Sequence, residues 1–194
     1  MSNVQFTKGL FPIKPNGGMV PINYYRADTS TAIYLHQPVR LNSDGKLTIA
    51  TCGSNNGTIL GSAECFLDKN LGAPKETYPY LAASNTEAVF VGVADDPNQL
   101  FVLEEDTGGS ALALTNIGNL ADFTYLGTTG NTTTGLSQAV LDRSGVNISS
   151  GQFLLLRPQY AADGDNDYGN YCKWIVKINM HQTKIETGNT AAGI

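Results

Sequence analysis

The stretch DGDNDYGNYCKWIVKINMHQ, residues 163–182, decides the fold. From Tyr171 onward it alternates without a break. Cys172, Trp174, Val176, Ile178 and Met180 fall on one side, and Tyr171, Lys173, Ile175, Lys177, Asn179 and His181 on the other. Successive side chains of an extended chain point to opposite faces, so the segment reads as one long strand. Its first face is apolar and belongs in a core. Its second carries two lysines and one aliphatic residue, and is expected to meet water or a partner. The chain's single tryptophan lies on the apolar face, which places this strand near the centre of the fold.

The surrounding composition agrees with a β-protein. A chain of 194 residues suits one domain, able to bury about 70% of its unfolded surface without a staple. Charged residues make up only 15%, against roughly 25% in ordinary domains. Gly, Thr, Asn and Ser take their place, a mixture suited to many turns and to strands faced with hydroxyls and amides. The resulting low-charge surfaces repel each other little, as expected where copies of a chain pack together. Net charge is −5, with 12 Lys and Arg spread thinly. Nucleic-acid binding requires a cationic footprint to displace counterions, and none is present, so no nucleic-acid partner is expected.

Cys52, Cys65 and Cys172 are odd in number, irregularly spaced and far in sequence from His36 and His181. Zinc-ligand spacing is missing, and free thiols of a reducing compartment are the expected state. The N-terminal MSNVQFTKGLFPIKPNGG has no apolar signal core, and no apolar run approaches membrane-spanning length. A soluble protein made in the cytoplasm, without a membrane partner, is expected.

Residues 1–25 differ from the rest. Pro12, Pro15 and Pro21, with Gly9, Gly17 and Gly18, oppose a helix and interrupt a sheet ladder. Phe6, Leu10, Phe11 and Ile13 are nonetheless too apolar for a free tail. The segment reads as an extended arm docking on its own core or on a neighbouring subunit. Strand-like runs follow at 32–35, 39–41, 47–50, 58–67, 87–94, 100–104, 123–126, 137–141 and 152–156, separated by turn chemistry such as Asp44-Gly45. Only 111–120 resembles a helical turn. The spacing predicts an all-β domain over 26–184, an antiparallel β-sandwich or β-barrel, with residues 185–194 as a flexible tail.

Candidate chemistry is sparse. Asp163, Asp165 and Asp167 open like a calcium loop, but Tyr168 and Trp174 stand where that loop needs Gly and a bidentate Glu. An acidic turn is the expected reading. Asp95 and Glu105 would lie about 30 Å apart along one extended strand, too far for a glycosidase pair. Asp95, Asp96, Glu104, Glu105 and Asp106 are expected as solvated turn acids. No nucleophile elbow, P-loop or dinucleotide fingerprint is present. No enzyme, metal or cofactor is expected.

Four segments together carry a resemblance: ADDPNQLFVLEED (94–106), DFTYLGTTGNTTTGLSQAVLD (122–142), LLRP (155–158) and DNDYGNYCKWIVKINMHQ (165–182). They resemble virion structural proteins of tailed bacteriophages, of the capsid decoration (cement) or minor capsid type. In those proteins an Asp-Pro turn leads into an acidic-ended strand, a Thr/Gly loop precedes a short strand, and a K-W-x-V-x-I-N-x-H-Q strand closes the domain. The similarity covers most of residues 20–182, and the final strand is its most specific part. It implies an all-β protein on the head exterior, with the major capsid protein and its own copies (a dimer or trimer) as partners. It implies no catalytic residues. Asp95, Asp96, Pro97, Glu104, Glu105, Asn170, Trp174, Asn179 and His181 match as turn and strand architecture.

The expected contact residues toward capsid or subunit are Phe6, Leu10, Phe11 and Ile13 of the arm, with Lys173, Ile175 and Lys177 of the final strand. The alternative is a tail- or fibre-associated, or receptor- or glycan-binding, virion protein. Tyr24, Tyr25, Tyr78 and Tyr80 would be its stacking aromatics.

Overall fold

The computed structural model describes all residues except 1, 2, 4, 15–17, 54–56, 69–78, 85–88, 148, 160–165 and 184–194. Among the described residues the regular structure is β, apart from one 3₁₀ turn at Leu114–Asn116. That turn stands where the sequence suggested a helical segment. No helix of the described residues is long and apolar enough to cross a membrane.

Five strands form the sheet built around Trp174. They are β1 (Phe11–Pro12), β9 (Leu100–Glu104), β14 (Lys173–Ile178), β13 (Phe153–Pro158) and β10 (Leu120–Ala121), in that order across the sheet. The final strand is the middle one, as its tryptophan suggested. A second sheet runs β2 (Asn23–Arg26), β8 (Phe90–Ala94), β6 (Gly61–Leu67), β4 (Pro38–Leu41), β5 (Leu47–Ile49). Two smaller pairs complete the fold: the hairpin β11 (Phe123–Gly130)/β12 (Ser137–Leu141), and β3 (Ile33–Tyr34) with β7 (Tyr80–Leu81). All of these pairings are antiparallel. Neither five-stranded order closes on itself, so the architecture is that of a sandwich rather than a barrel.

Alternation builds two apolar clusters. Phe101 and Leu103 of β9, Phe153 and Leu155 of β13, and Trp174, Val176 and Ile178 of β14 point into the first. The hairpin lays Phe123, Ala139 and Leu141 onto the same cluster, where the Phe123 and Phe153 rings meet edge-on at 6.1 Å. Val91 and Val93 of β8, with Val39, Leu47, Ala63 and Phe66, make the second cluster. Each large side chain withdrawn from water contributes roughly 1.5–3 kcal/mol. Trp174, at 0% exposure, is the largest of those fully buried.

The final strand starts later than the alternation predicts. Tyr171 has φ +64°, and the amide of Cys172 donates to the carbonyl of Gly169 at 3.2 Å. That turn ends the extended backbone just before Lys173. Cys172 still faces the core and is fully buried.

The N-terminal segment is woven into the sheets. β1 pairs with β9, and β2 with β8, so the β-domain reaches into residues assigned to the arm. Leu10 is 0% exposed inside the first cluster, its amide bonded to the carbonyl of His36 at 2.8 Å. Leu10 therefore docks on its own core, which corrects its expected role as a contact residue. Gly9 makes the crossing possible: it has φ +76°, and a Cβ there would lie 2.4 Å from the His36 carbonyl oxygen. The predicted tail at 185–194 lies outside the described residues.

Candidate functional site

The outward face of β9 and β14 meets the arm, and there several sequence-selected residues converge. The register sets Glu104 opposite Lys173, Val102 opposite Ile175, and Leu100 opposite Lys177. β1 sets Phe11 beside Val102, and β13 sets Arg157 beside Ile175. One row thus runs Phe11–Val102–Ile175–Arg157 across four strands. Ile175 lies in the middle of that row and is only 5% exposed. Alternation placed it correctly on the outer face, but its neighbours cover it, so it is withdrawn as a contact residue.

N-terminal to β1 the arm continues over this face. Glu104 accepts hydrogen bonds from the amide of Phe6 at 3.0 Å and the hydroxyl of Thr7 at 3.1 Å. Its carboxyl is pushed up from the usual range by burial, while those two donors and the charge of Lys173 pull it back. Further along, the Asn3 side chain bonds the backbone of Asp167 and Asn170. Between the arm and the sheet lies a cleft of about 240 Å³, lined by Phe6, Lys8, Gly9, Phe11, Val102, Glu104, Gln159 and Lys173. Phe6 and Phe11 stay 55% and 41% exposed. The Lys8 ammonium sits 4.8 Å from the centroid of one ring and 5.8 Å from the other, in cation–π range of both.

Of the expected contact residues, the structure brings Phe6, Phe11 and Lys173 together here. Ile13 lies further along the arm, where its amide and carbonyl bond Leu100 and Gln99. Lys177 is at the other end of β14, its ammonium 2.8 Å from Asn98 Oδ1. Lys8 and Gln159 were missed. Lys8 sits between two aromatic positions of an otherwise apolar arm, a signal legible in the sequence. Gln159 carried none.

Behind this face is a buried polar group. Glu105 has a side chain 0% exposed, and its Oε1 lies 3.2 Å from Arg143 Nη1. Its Oε2 accepts from Trp174 Nε1 at 3.0 Å. Arg143 also reaches the carbonyls of Gly108 and Gly109 and the side chain of Asn170. Burial pushes Glu105 up to about 7, against the pull of the indole and the guanidinium. Glu104 and Glu105 are thus enclosed acids, not the solvated turn acids expected from the sequence. A strand end reads as a turn when no arm or arginine is seen to cover it.

Elsewhere, Ser62 Oγ lies 2.6 Å from both Glu64 Oε1 and the Leu10 carbonyl, and His36 Nδ1 lies 3.2 Å from the same Glu64 oxygen. No hydrogen bond joins Ser62 to His36 among the described residues, so the three do not form a nucleophile–base relay. None of the three cysteines is in a disulfide, and burial raises each thiol, Cys172 to about 12 and Cys52 to about 11. A raised thiol holds its proton near neutrality, which argues against a thiolate nucleophile at these positions. Asp163 and Asp165 lie outside the described residues, and among those described no group of His, Cys, Asp and Glu is arranged to hold a metal. Tyr80 is stacked on Tyr34 at 4.9 Å, Tyr25 is hydrogen-bonded to Asp95, and Tyr24 is half exposed; Tyr78 lies outside the described residues.

No family model matches the chain, and neither a curated protein nor a solved structure matches it.

Proposed function

We propose that this chain is a structural, non-enzymatic virion protein that decorates the outside of a phage head. In this reading it binds the major capsid protein and its own copies, and stabilises the shell. The observation that carries the reading is the arm face. Two exposed phenylalanines, a lysine held over their rings and Lys173 sit side by side where the arm crosses the sheet. Aromatic residues and a depleted charge complement are what the centre of a protein interface uses. The sequence resemblance supplies the kind of partner. A net charge of −5 suits the outer face, since packaged DNA would repel the chain from the inner one.

The enclosure of the titratable groups supports a structural role. Glu105 is taken up by Arg143 and Trp174, Glu104 by the arm, and the thiols by burial. Each copy needs only modest affinity, because many copies on one lattice act together.

The test is direct. Purified protein is mixed with emptied heads of the parent phage, sedimented, and counted per particle. Tens to hundreds of copies on the head support the reading. A dozen or fewer, confined to tails, sinks it.

A further inference from the structure

The arm cleft has the chemistry to recognise one kind of segment on a partner. At about 240 Å³ it falls below the roughly 300–1,000 Å³ of ordinary ligand sites, leaving room for one or two side chains rather than a cofactor. Its walls come from two sources. Phe6, Lys8, Gly9 and Phe11 belong to the arm; Val102, Glu104, Gln159 and Lys173 belong to the sheet. Apolar surface is offered by both rings and by Val102. The charge is unbalanced. Two lysines line the cleft, and its one carboxylate, Glu104, already accepts from Phe6 N and Thr7 Oγ. Among the described residues neither Lys8 nor Lys173 has a carboxylate within 4.0 Å. Local charge is therefore positive on a chain whose total is −5.

We propose that this cleft is a docking site for an extended segment of a protein partner that presents a carboxylate beside an apolar side chain. The carboxylate lies between Lys8 and Lys173, with the Gln159 amide as a further donor, and the apolar side chain packs on Phe6, Phe11 and Val102. A polyphosphate backbone fits less well, because the remainder of the chain repels a polyanion and only two cations are in place. The cleft exists only while the arm is docked, so engagement of the partner also tightens the arm. This inference rests on the decoration reading only in taking that partner to be the shell.

The probe is a blocked synthetic hexapeptide alternating leucine with aspartate, titrated into the full chain and followed by amide chemical shifts. Its asparagine counterpart and a short oligothymidine are titrated in parallel. The acidic peptide is expected to shift Phe6, Lys8, Val102, Gln159 and Lys173, and to bind at least about tenfold more tightly than the asparagine version. Lys8→Glu and Lys173→Glu should each weaken it by a similar factor. Both positions are solvent-accessible, and an unchanged Trp174 fluorescence spectrum certifies the fold. Equal binding of both peptides, shifts elsewhere, or preference for the oligothymidine overturns the proposal. Shell binding of the same variants separates the two readings. If the intact chain binds heads and Lys173→Glu binds as well, the cleft assignment fails while decoration stands. If the acidic peptide binds as described but heads do not, decoration fails and the cleft stands.

Discussion

Glu105 and Trp174, 69 positions apart, meet in the core through a 3.0 Å hydrogen bond from the indole Nε1 to Oε2. The bond fixes the central strand of the first sheet to the residue just past the end of β9. Both partners are fully buried, so losing either leaves a polar group without compensation. Trp174→Ala should cost about 3–5 kcal/mol, as large aromatic truncations in cores do. Trp174→Phe keeps most of the packing but removes the donor, and should cost about 1–3 kcal/mol. Urea unfolding of both variants tests this. Equal losses would mean that packing alone matters at this position.

The other oxygen of Glu105 holds Arg143, 2% exposed and always cationic. Breaking a buried pair from one side leaves the desolvated partner without compensation, and Glu105 must then take up a proton to stay buried. Arg143→Met should therefore destabilise by about 3–5 kcal/mol. The double variant Arg143→Met/Glu105→Leu, which removes both charges, should lose clearly less than the sum of the single changes. Additive losses in a double-mutant cycle would contradict the pairing.

Much of this organisation was legible in the sequence. The alternation through 172–178 identified the central strand and its buried face, because period-2 patterning is a local property. The all-β class followed from turn chemistry repeated at short intervals. What the sequence could not reveal was coverage. Ile175 sits on the outer face as read, yet Val102 and Arg157 flank it in the register and close it off. Glu104 ends a strand as read, yet the arm folds back to bond it. Both are long-range facts, set by which strand lies next to which. The arm itself reads as separate from the domain because prolines and glycines punctuate it. The β1–β9 pairing and the depth of Leu10 show that it belongs to the fold.

Glu105, Glu104 and Asp106 should each contribute stability that falls as pH rises from the acid side. Glu105 has a folded value of about 7, above the 4.5 of an ordinary glutamate, and Glu104 and Asp106 are shifted upward as well by burial. For such groups the folded state holds the proton more tightly. Their contribution is complete below the ordinary value, about 4.5 for the glutamates and 3.8 for Asp106, and is lost as pH climbs through the folded value. His181, held neutral by burial, acts in the opposite direction in acid. A difference measurement cancels it. Glu104→Gln removes one of the raised groups, so its urea midpoint should decline less steeply than that of the parent as pH rises above about 4.5. Parallel slopes would remove Glu104 from the account.

The arm should behave as part of the fold. Leu10→Ala empties a fully buried site and should cost about 2–5 kcal/mol. Gly9→Ala forces a Cβ against the His36 carbonyl and the Ser137 side chain from a left-handed backbone, and should loosen the same segment. Limited proteolysis reads both, as early cleavage within residues 3–13. A chain lacking residues 1–20 loses Leu10 and the β1–β9 pairing and should unfold at lower urea than the parent. Shell binding by the arm is better tested with Phe6→Ser and Phe11→Ser, which alter exposed rings. A truncation as stable as the parent would show that Leu10 adds nothing to the core.

The Thr/Gly hairpin tip should also prove to be built rather than loose. The amide of Leu35 donates to the Gly135 carbonyl, and the amide of Ser137 donates to the Leu35 carbonyl, tying the tip to the residue just past β3. Gly130 lies directly against the ring of Tyr34, where a Cβ would fall 2.2 Å from Cγ. That ring cannot retreat easily, since it is 7% exposed and stacked on Tyr80 with the planes 13° apart. Gly130→Ala must displace the stack, and overpacking of this kind costs about 1–3 kcal/mol. Gly145→Ala is the control, because nothing lies within 4 Å of the added methyl, and it should be neutral or slightly stabilising. Near-ultraviolet circular dichroism reports the tyrosine pair, and urea unfolding reports the cost. Lost tyrosine signal with a lowered midpoint in Gly130→Ala, and neither in Gly145→Ala, is the expected pattern. An unchanged spectrum and midpoint in Gly130→Ala would mean that the tip does not rest on Tyr34.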